Sequence, residues 1–381
     1  MRLLHTSDWH LGRQLHGLSL LEDQAHVLAQ IVAFVKAEAI DVLLIAGDVY
    51  DRAVPPAEAV ALLGQTLNTL CRELGCQVVM IAGNHDSAER LGFASDLLEG
   101  AGLHIFGPLN ETVSAVNIDV DGVCYDIFGL PYAGPLSVRQ ISGDNNISSH
   151  AQAMQALLMQ VQQQRQPGRP AILMAHCFVS GGLESESERV LSVGGIDSVP
   201  AELFADFDYV ALGHLHRPQH CGCEHIRYAG SILKYSFSEA THKKSVTRVD
   251  IDANGRIELS ERPLQPLRDM RIIEGSLSEL IAAAPTDRQS DDYILARLND
   301  TGALLDVMGK LRAVYPNVLQ LQFLRREQIT STATLSRQIM KTSQLDLFET
   351  FFETMQGDSL SKVQRQYLVD LLNQLQHEGE L

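Results

Sequence analysis

Three short apolar runs near the N-terminus each stop at a small residue followed by acidic, amide or imidazole side chains. MRLLHT (1–6) leads into Ser7-Asp8-Trp9-His10, DVLLIA (41–46) into Gly47-Asp48-Val49-Tyr50-Asp51-Arg52, and QVVMIA (77–82) into Gly83-Asn84-His85-Asp86. Between them lie helical patterns at about 22–39 and 56–74. In the second, Val60, Leu63, Leu67, Leu70 and Leu74 recur along one stripe, predicted to face the core. Pro55-Pro56 opens that helix, where the first N–H groups lack partners anyway. This β-α-β-α-β rhythm implies a parallel sheet with helices on its faces.

The rhythm then changes. Residues 113–119 and 123–130 flank Asp121-Gly122 and read as a hairpin, as do 245–251 and 256–262 around Asn254-Gly255. A Gln-rich helix near 150–165 and strands at 171–176, 208–213 and 225–229 lie between the hairpins. Several of these strands are apolar on both faces, so both faces need cover. The expected architecture for residues 1–265 is α/β, two packed sheets with helices outside each, an αββα sandwich. Pro263 and Pro266 mark a boundary. Residues 266–325 then read β-α-β-α-β, a small α+β capping domain with helices near 276–284 and 301–312. Residues 326–344 read as a polar linker, and 345–381 as a helical tail. Leu345, Leu347, Phe348, Phe351 and Phe352 crowd its first helix; Val363, Tyr367, Leu368, Leu371, Leu372 and Leu375 line its second. Such faces either dock on their own domain or capture a partner protein.

The chemistry sits at the strand ends. To the three clusters above the chain adds His176, which closes AILMAH, and Gly213-His214-Leu215-His216. In open α/β sheets, ligands bind beyond the carboxyl ends of the strands, so five such ends point to one shared site. Side chains at i and i+2 of an extended segment point the same way. On that ground Asp8/His10 and His214/His216 each offer two ligands to one place. The donors are then Asp8, His10, Asp48, Asn84, His176, His214 and His216. Seven mixed oxygen and nitrogen ligands exceed one tetrahedral ion and suit two divalent cations sharing a carboxylate, ~3.5–4 Å apart. With no sulfur donor, Mn²⁺ is the favoured occupant, ahead of Fe, Zn or Mg. Any single cluster would more often be an ordinary core or surface feature; the ordered set is what carries the reading.

The order D-x-H, G-D-x-x-D, G-N-H-D, a lone His and G-H-x-H is the signature of the calcineurin-like metallophosphoesterases. The local forms HTSDWHLG, AGDVYDR, AGNHDS, ALGHLHRPQ and RYAGS resemble the SbcD branch of that family, nuclease subunits related to the archaeal and eukaryotic double-strand-break repair nucleases. The resemblance spans essentially the whole chain, more weakly after residue 265. It implies that Asp8, His10, Asp48 and His216 hold one ion, that Asp48, Asn84, His176 and His214 hold the other, and that Asp48 is the bridge. His85 matches the family's non-ligand catalytic histidine. Asp51 stands where the protein-phosphatase branch has an aspartate that orients that histidine, so an Asp51–His85 contact is expected to fix the ring and raise its basicity.

The implied activity is that of a Mn²⁺-dependent DNA nuclease, a double-strand exonuclease and single-strand or hairpin endonuclease. It would hydrolyse phosphodiesters through a metal-bridged water, with His85 protonating the leaving oxygen or bonding the phosphate. By the same resemblance the chain is a homodimer, and part of the helix at 56–74 and of one near 88–99 would then build a four-helix bundle between copies instead of facing the core. It works within a heterotetramer with an SbcC-type coiled-coil ATPase, in DNA repair, recombination and replication. The chain shows no P-loop of its own, so ATP dependence would come from the partner.

Other features take blander readings. His220-Cys221-Gly222-Cys223 and His225 suggest a zinc knuckle, but no second Cys pair completes it and a hairpin turn explains the glycine. His5 reads as a core or sheet-edge residue. Arg52 is as readily a surface residue as a phosphate contact. Gly181-Gly182 through Gly194-Gly195 enclose ESESER and read as a loop near His176. No apolar stretch is long enough to span a membrane and the first residues lack a signal-peptide core, so the expected location is the cytoplasm, with the six cysteines reduced. The net charge of −17 argues against wrapping nucleic acid by bulk electrostatics. It is compatible with DNA at one site, where two bound cations would add positive charge and residues 324–342 carry Arg325, Arg326, Arg337 and Lys341. Two other classes compete: a phosphoesterase for a cyclic nucleotide or nucleotide-sugar pyrophosphate, and a metal-free scaffold. The complete donor set opposes the scaffold. The extra domain and tail disfavour the small-molecule enzyme.

Overall fold

A computed structural model of the chain describes residues 1–188, 198–300, 304–324 and 359–378, with 345, 348–349 and 352–353. It divides into two compact units, Met1–Asp269 and Met270–Leu381. In the first, β1 (Arg2–Thr6), β2 (Val42–Ile45), β3 (Gln77–Ile81) and β4 (Leu103–Phe106) run parallel. They alternate with α1 (Leu21–Ala37) and α2 (Ala57–Asn68) in the manner of the sequence rhythm. The hairpin β11 (Ser245–Ile251) and β12 (Ile257–Pro263) adds antiparallel strands beside β1, giving a six-stranded sheet of order β12-β11-β1-β2-β3-β4.

The second sheet is built from the hairpin β5 (Ala115–Val120) and β6 (Val123–Leu130), then β7 (Ala171–His176), β8 (Tyr209–Gly213), β9 (Gln219–Cys221) and β10 (Cys223–Tyr228). Its order is β9-β10-β8-β7-β6-β5, with β6, β7, β8 and β10 parallel. Alternate residues of the two sheets meet in one dry layer: Leu3, Val42, Leu44, Val79 and Ile81 against Ile127, Ile172, Met174, Tyr209 and Ala211. The outer face of the second sheet, with Phe128, Leu173, Val210 and Leu212, packs in a separate core with α3 (Pro135–Ser142) and α4 (His150–Gln164). Leu4, Leu43, Val78 and Met80, the alternate set of the first sheet, are fully buried as well. Strands covered on both faces read as continuous apolar runs, which is why the sequence shows them so plainly.

α2 departs from its expected stripe. The buried row is Ala59, Leu63, Thr66 and Leu70, while Val60 is exposed. The helix loosens into a π turn at Thr69–Glu73, which shifts the phase of any stripe read at 3.6 residues per turn. Gly222, with φ +71°, turns the β9–β10 hairpin, which accounts for the Cys-Gly-Cys run without a metal. His5 is a core residue, its Nδ1 2.8 Å from the Tyr209 hydroxyl.

The second unit holds a parallel sheet of β13 (Met270–Gly275), β14 (Tyr293–Leu298) and β15 (Val318–Phe323), crossed by α5 (Leu277–Ala283) and α6 (Val307–Arg312). Ser276 and Glu279 form a reciprocal capping box at the start of α5. Leu277, Leu280, Ile294, Leu298, Leu311 and Val318 make its core. α6 starts later than the periodicity suggests, at Val307 behind an Asp306 cap. The tail's second helix is α7 (Lys362–Glu378), with Leu368 buried and Val363, Tyr367 and Leu371 exposed. The linker up to residue 344, most of the tail's first helix and residues 189–197 of the Ser/Glu loop lie outside the described residues. Among the described residues no helix is long and apolar enough to cross a membrane.

Candidate metal centre

β1, β2 and β3 are neighbours in one sheet, β7 and β8 in the other, and the carboxyl ends of all five meet. Pairing continues past the strands: the Asp8 N–H donates to Gly47 O at 3.0 Å, and His10 N–H to Asp48 O at 2.9 Å. The expected extended i, i+2 geometry does not hold there. Asp8 (φ +52°), His10 (+45°) and Asp48 (+48°) are left-handed, and His214 has φ +110°. Convergence is produced by tight turns instead of by the alternation of a strand. Non-glycine residues in this region cost of order 1–3 kcal/mol each and cluster at functional sites. Two motif glycines are required by close approach. A Cβ on Gly83 would fall 2.2 Å from the Asp48 nitrogen, and one on Gly213 only 1.8 Å from the Ala46 carbonyl oxygen.

All seven predicted donors come together. Asp48 Oδ2 stands 3.6 Å from Nε2 of His10 and 3.6 Å from Nε2 of His176. On one side, Nε2 of His10 and His216 face each other at 3.1 Å, and Asp8 groups with both. On the other, Asn84 Oδ1 lies 3.0 Å from His176 Nε2 and 3.2 Å from His214 Nδ1. His176 Nδ1 donates to Ala46 O at 2.9 Å, which leaves its Nε2 lone pair facing the centre. Burial pushes His176 and His216 down to about 4, and burial with neighbouring histidines holds His10 and His214 well below the ordinary imidazole value. These imidazoles are therefore neutral near pH 7, the form in which imidazole can ligate a metal. Burial, then the Asp48 charge, raises Asp8 well above the usual carboxylate range.

The residues fit a pair of divalent cations. Buried carboxylates repel each other and neutral imidazole nitrogens face one another, both of which positive charge relieves. The candidate donors divide into two sets on either side of Asp48, an arrangement that suits two ions sharing one carboxylate.

His85 lies beside the ligands, its ring 4.7 Å from that of His10 and edge-on to it. Its contact with Asp51 exists, but through the main chain: Nδ1–H donates to Asp51 O at 2.8 Å. The Asp51 carboxylate accepts from Arg13 at 3.0 Å instead. Arg52 is mostly exposed, whereas Arg13 is packed over the Tyr235 ring at 5.1 Å.

Several supporting residues were not evident in the sequence. Asp86 accepts from the N–H groups of Gly83, Val49 and Tyr50, so it ties the turn after β3 to the turn after β2. Gln24, buried on α1, donates to the carbonyls of Trp9 (3.1 Å) and His10 (2.7 Å) and holds the turn that carries His10. Glu188 Oε1 accepts from the His216 N–H at 2.7 Å, and Ser187 Oγ lies 2.7 Å from His216 Nδ1, so the Ser/Glu loop reaches His216. Glu239 is buried beneath the same ring. Asp86 carried a signal, its place in the G-N-H-D cluster; Gln24 and Glu239 are remote in sequence and follow no periodicity.

Residues 1–218 match the family described as calcineurin-like phosphoesterase, and 266–356 match the one described as type 5 capsule protein repressor C-terminal domain. The chain is 35% identical over 373 residues to the SbcD subunit of nuclease SbcCD from Staphylococcus epidermidis, covering 98% of each. It is 35% identical over 379 residues to the same-named protein of Staphylococcus saprophyticus, covering 100% of each. The structure of TT1561 of Thermus thermophilus is 14% identical with a TM-score of 0.38, covering 68% of this chain and 98% of that one.

Proposed function

The chain belongs to the SbcD group of calcineurin-like phosphoesterases, metal-dependent phosphodiester hydrolases, and on that premise we propose that it is a Mn²⁺-dependent DNA nuclease. It acts as a double-strand exonuclease and as an endonuclease on single strands and hairpins. It works with an SbcC-type coiled-coil ATPase, as a homodimer within a heterotetramer, in DNA break and hairpin processing. Asp8, His10, Asp48 and His216 hold one cation; Asp48, Asn84, His176 and His214 hold the other. The observation that supports this most directly is the Asp48 carboxylate oxygen, equidistant from one imidazole nitrogen of each set. When bound, the two cations supply Lewis-acid polarisation of the phosphate and a nucleophile available at neutral pH.

The chain's own residues do the rest. The buried donors hold the phosphate's position by fixing where charge can sit. The Asp51 carbonyl holds the Nδ1–H of His85, so in the imidazolium form the transferable proton is the one on Nε2. From there it passes to the leaving oxygen or is shared with the phosphate. Arg13 neutralises the Asp51 carboxylate and keeps that negative charge from opposing an incoming phosphate.

The test is Mn²⁺-dependent cleavage of an end-labelled hairpin duplex by the chain alone and with its ATPase partner, with the product ends mapped. Cleavage at the hairpin and from duplex ends is expected. Hydrolysis of cyclic nucleotides with no attack on DNA would replace this reading with the small-molecule phosphoesterase.

A further inference from the structure

The Glu239 side chain is wholly buried, yet its carboxylate is crowded with partners. It pairs with Lys244, accepts from the Tyr235 N–H at 3.1 Å, and lies 3.4 Å from Ser231 Oγ. Lys244, buried too, also donates to the carbonyl of His216 and to Ser231 Oγ, each at 2.7 Å. Both ends of the ion pair are thereby pinned to the backbone around residues 216 and 231–235. The same carboxylate is directed at the centre: Oε1 stands 3.3 Å from His216 Nδ1. It also accepts from Ser187 Oγ at 2.5 Å, and that hydroxyl lies 2.7 Å from the same nitrogen. With its proton given to Glu239, the hydroxyl can only accept from Nδ1.

We propose that Glu239, anchored by Lys244, is a positioning residue that holds His216 in the tautomer protonated at Nδ1. Its Nε2 lone pair is then presented to the cation shared with Asp8 and His10. This rests on the dinuclear reading above and extends it to a residue outside the motif set. The chemistry is that of a carboxylate behind a ligating imidazole, which fixes ring orientation and raises ligand basicity. A neutral imidazole carries one N–H, and the nitrogen that bears it is chosen by the hydrogen bond it makes. The two half-sites are served differently: His176 is fixed by a main-chain carbonyl, His216 by a charged side chain. Loss of Glu239 should therefore weaken one cation and spare the other.

A buried ion pair stripped of one partner leaves an uncompensated charge and can unfold the protein, whereas replacing both with apolar groups is often tolerated. The test therefore uses Glu239→Leu/Lys244→Met in the full chain, with Mn²⁺ binding read by calorimetry and paramagnetic resonance. Wild-type protein should take up two ions and show their magnetic coupling. The double variant should keep one affinity, lose about 10–100-fold in the other, and lose the coupled signal. Glu239→Gln/Lys244→Met, which restores an acceptor oxygen, should recover much of that loss. A folded leucine variant with two wild-type affinities overturns the positioning role, whereas wild-type protein that binds fewer than two ions overturns the dinuclear reading itself. Nitrogen-15 resonances of the metal-free wild type give a second measurement that needs no folded variant. The His216 ring should be protonated at Nδ1; protonation at Nε2 contradicts the proposal.

Discussion

The residues of the centre differ in how they are held, and this sets what each substitution does. The Nδ1–H of His85 is held by the Asp51 carbonyl and not by its carboxylate, so the two positions can be separated by substitution. His85→Gln should leave Mn²⁺ content intact and lower turnover by about 10²–10⁴-fold. Asp51→Asn keeps the carbonyl that holds His85 and disturbs the carboxylate's contacts with Arg13, Arg52 and His10 Nδ1. It should cost far less and leave the pH–rate profile in place; a shifted profile in that variant would return the orienting role to the carboxylate. The pH dependence of metal uptake follows from Asp8. Its carboxyl is raised by burial and by Asp48, so the metal-free protein retains that proton to higher pH, and a cation must displace it. The imidazoles are lowered and give up no proton near pH 7. Affinity should therefore rise with pH, by up to about tenfold per unit for one proton displaced, until Asp8 is ionised in the free protein. Calorimetry in buffers of different ionisation enthalpy would count the protons released. Uptake that releases no proton just above the ordinary carboxylate range would remove Asp8 as the linked group.

At the scale of elements, strands were the most legible part. Buried on both faces, VLLI and QVVMI leave no choice but a covered parallel sheet. The convergence of the candidate donors was legible for the same reason, because each sits where an apolar run breaks. What could not be read was the turn geometry. Nothing in Asp8-Trp9-His10 announces two left-handed residues, since that conformation is imposed by pairing with the turn after β2. Nor could α2's face be read closely, because Val60 and Ala59 differ by one position and the π turn lies downstream. Glu239 and Gln24 were invisible because their partners lie 23 and 14 residues away across turns. Gly213 tests the turn geometry. Gly213→Ala drives a methyl into the Ala46 carbonyl, at the seam between the two sheets. The variant should lose Mn²⁺ binding and melt well below the wild type; unchanged binding and melting would show that the seam can open without cost.

The whole molecule carries −17, and the tail from 345 to 381 has seven acidic residues against Lys362 and Arg365. That tail is a poor surface for DNA and a good one for a protein. On α7, Val363, Tyr367 and Leu371 recur every fourth residue and are exposed, an apolar stripe with helical spacing. Val363→Asp with Tyr367→Asp should abolish co-sedimentation with the SbcC-type ATPase while leaving the two cations bound. Retained association would move the partner surface elsewhere. Everything else depends on the proposed pair of cations around Asp48, and anomalous scattering from crystals grown with Mn²⁺ tests that most directly. Two peaks should flank the Asp48 carboxylate, one within bonding distance of His10 and His216, the other of His176 and Asn84. A single peak, or two that do not share Asp48, would contradict the account.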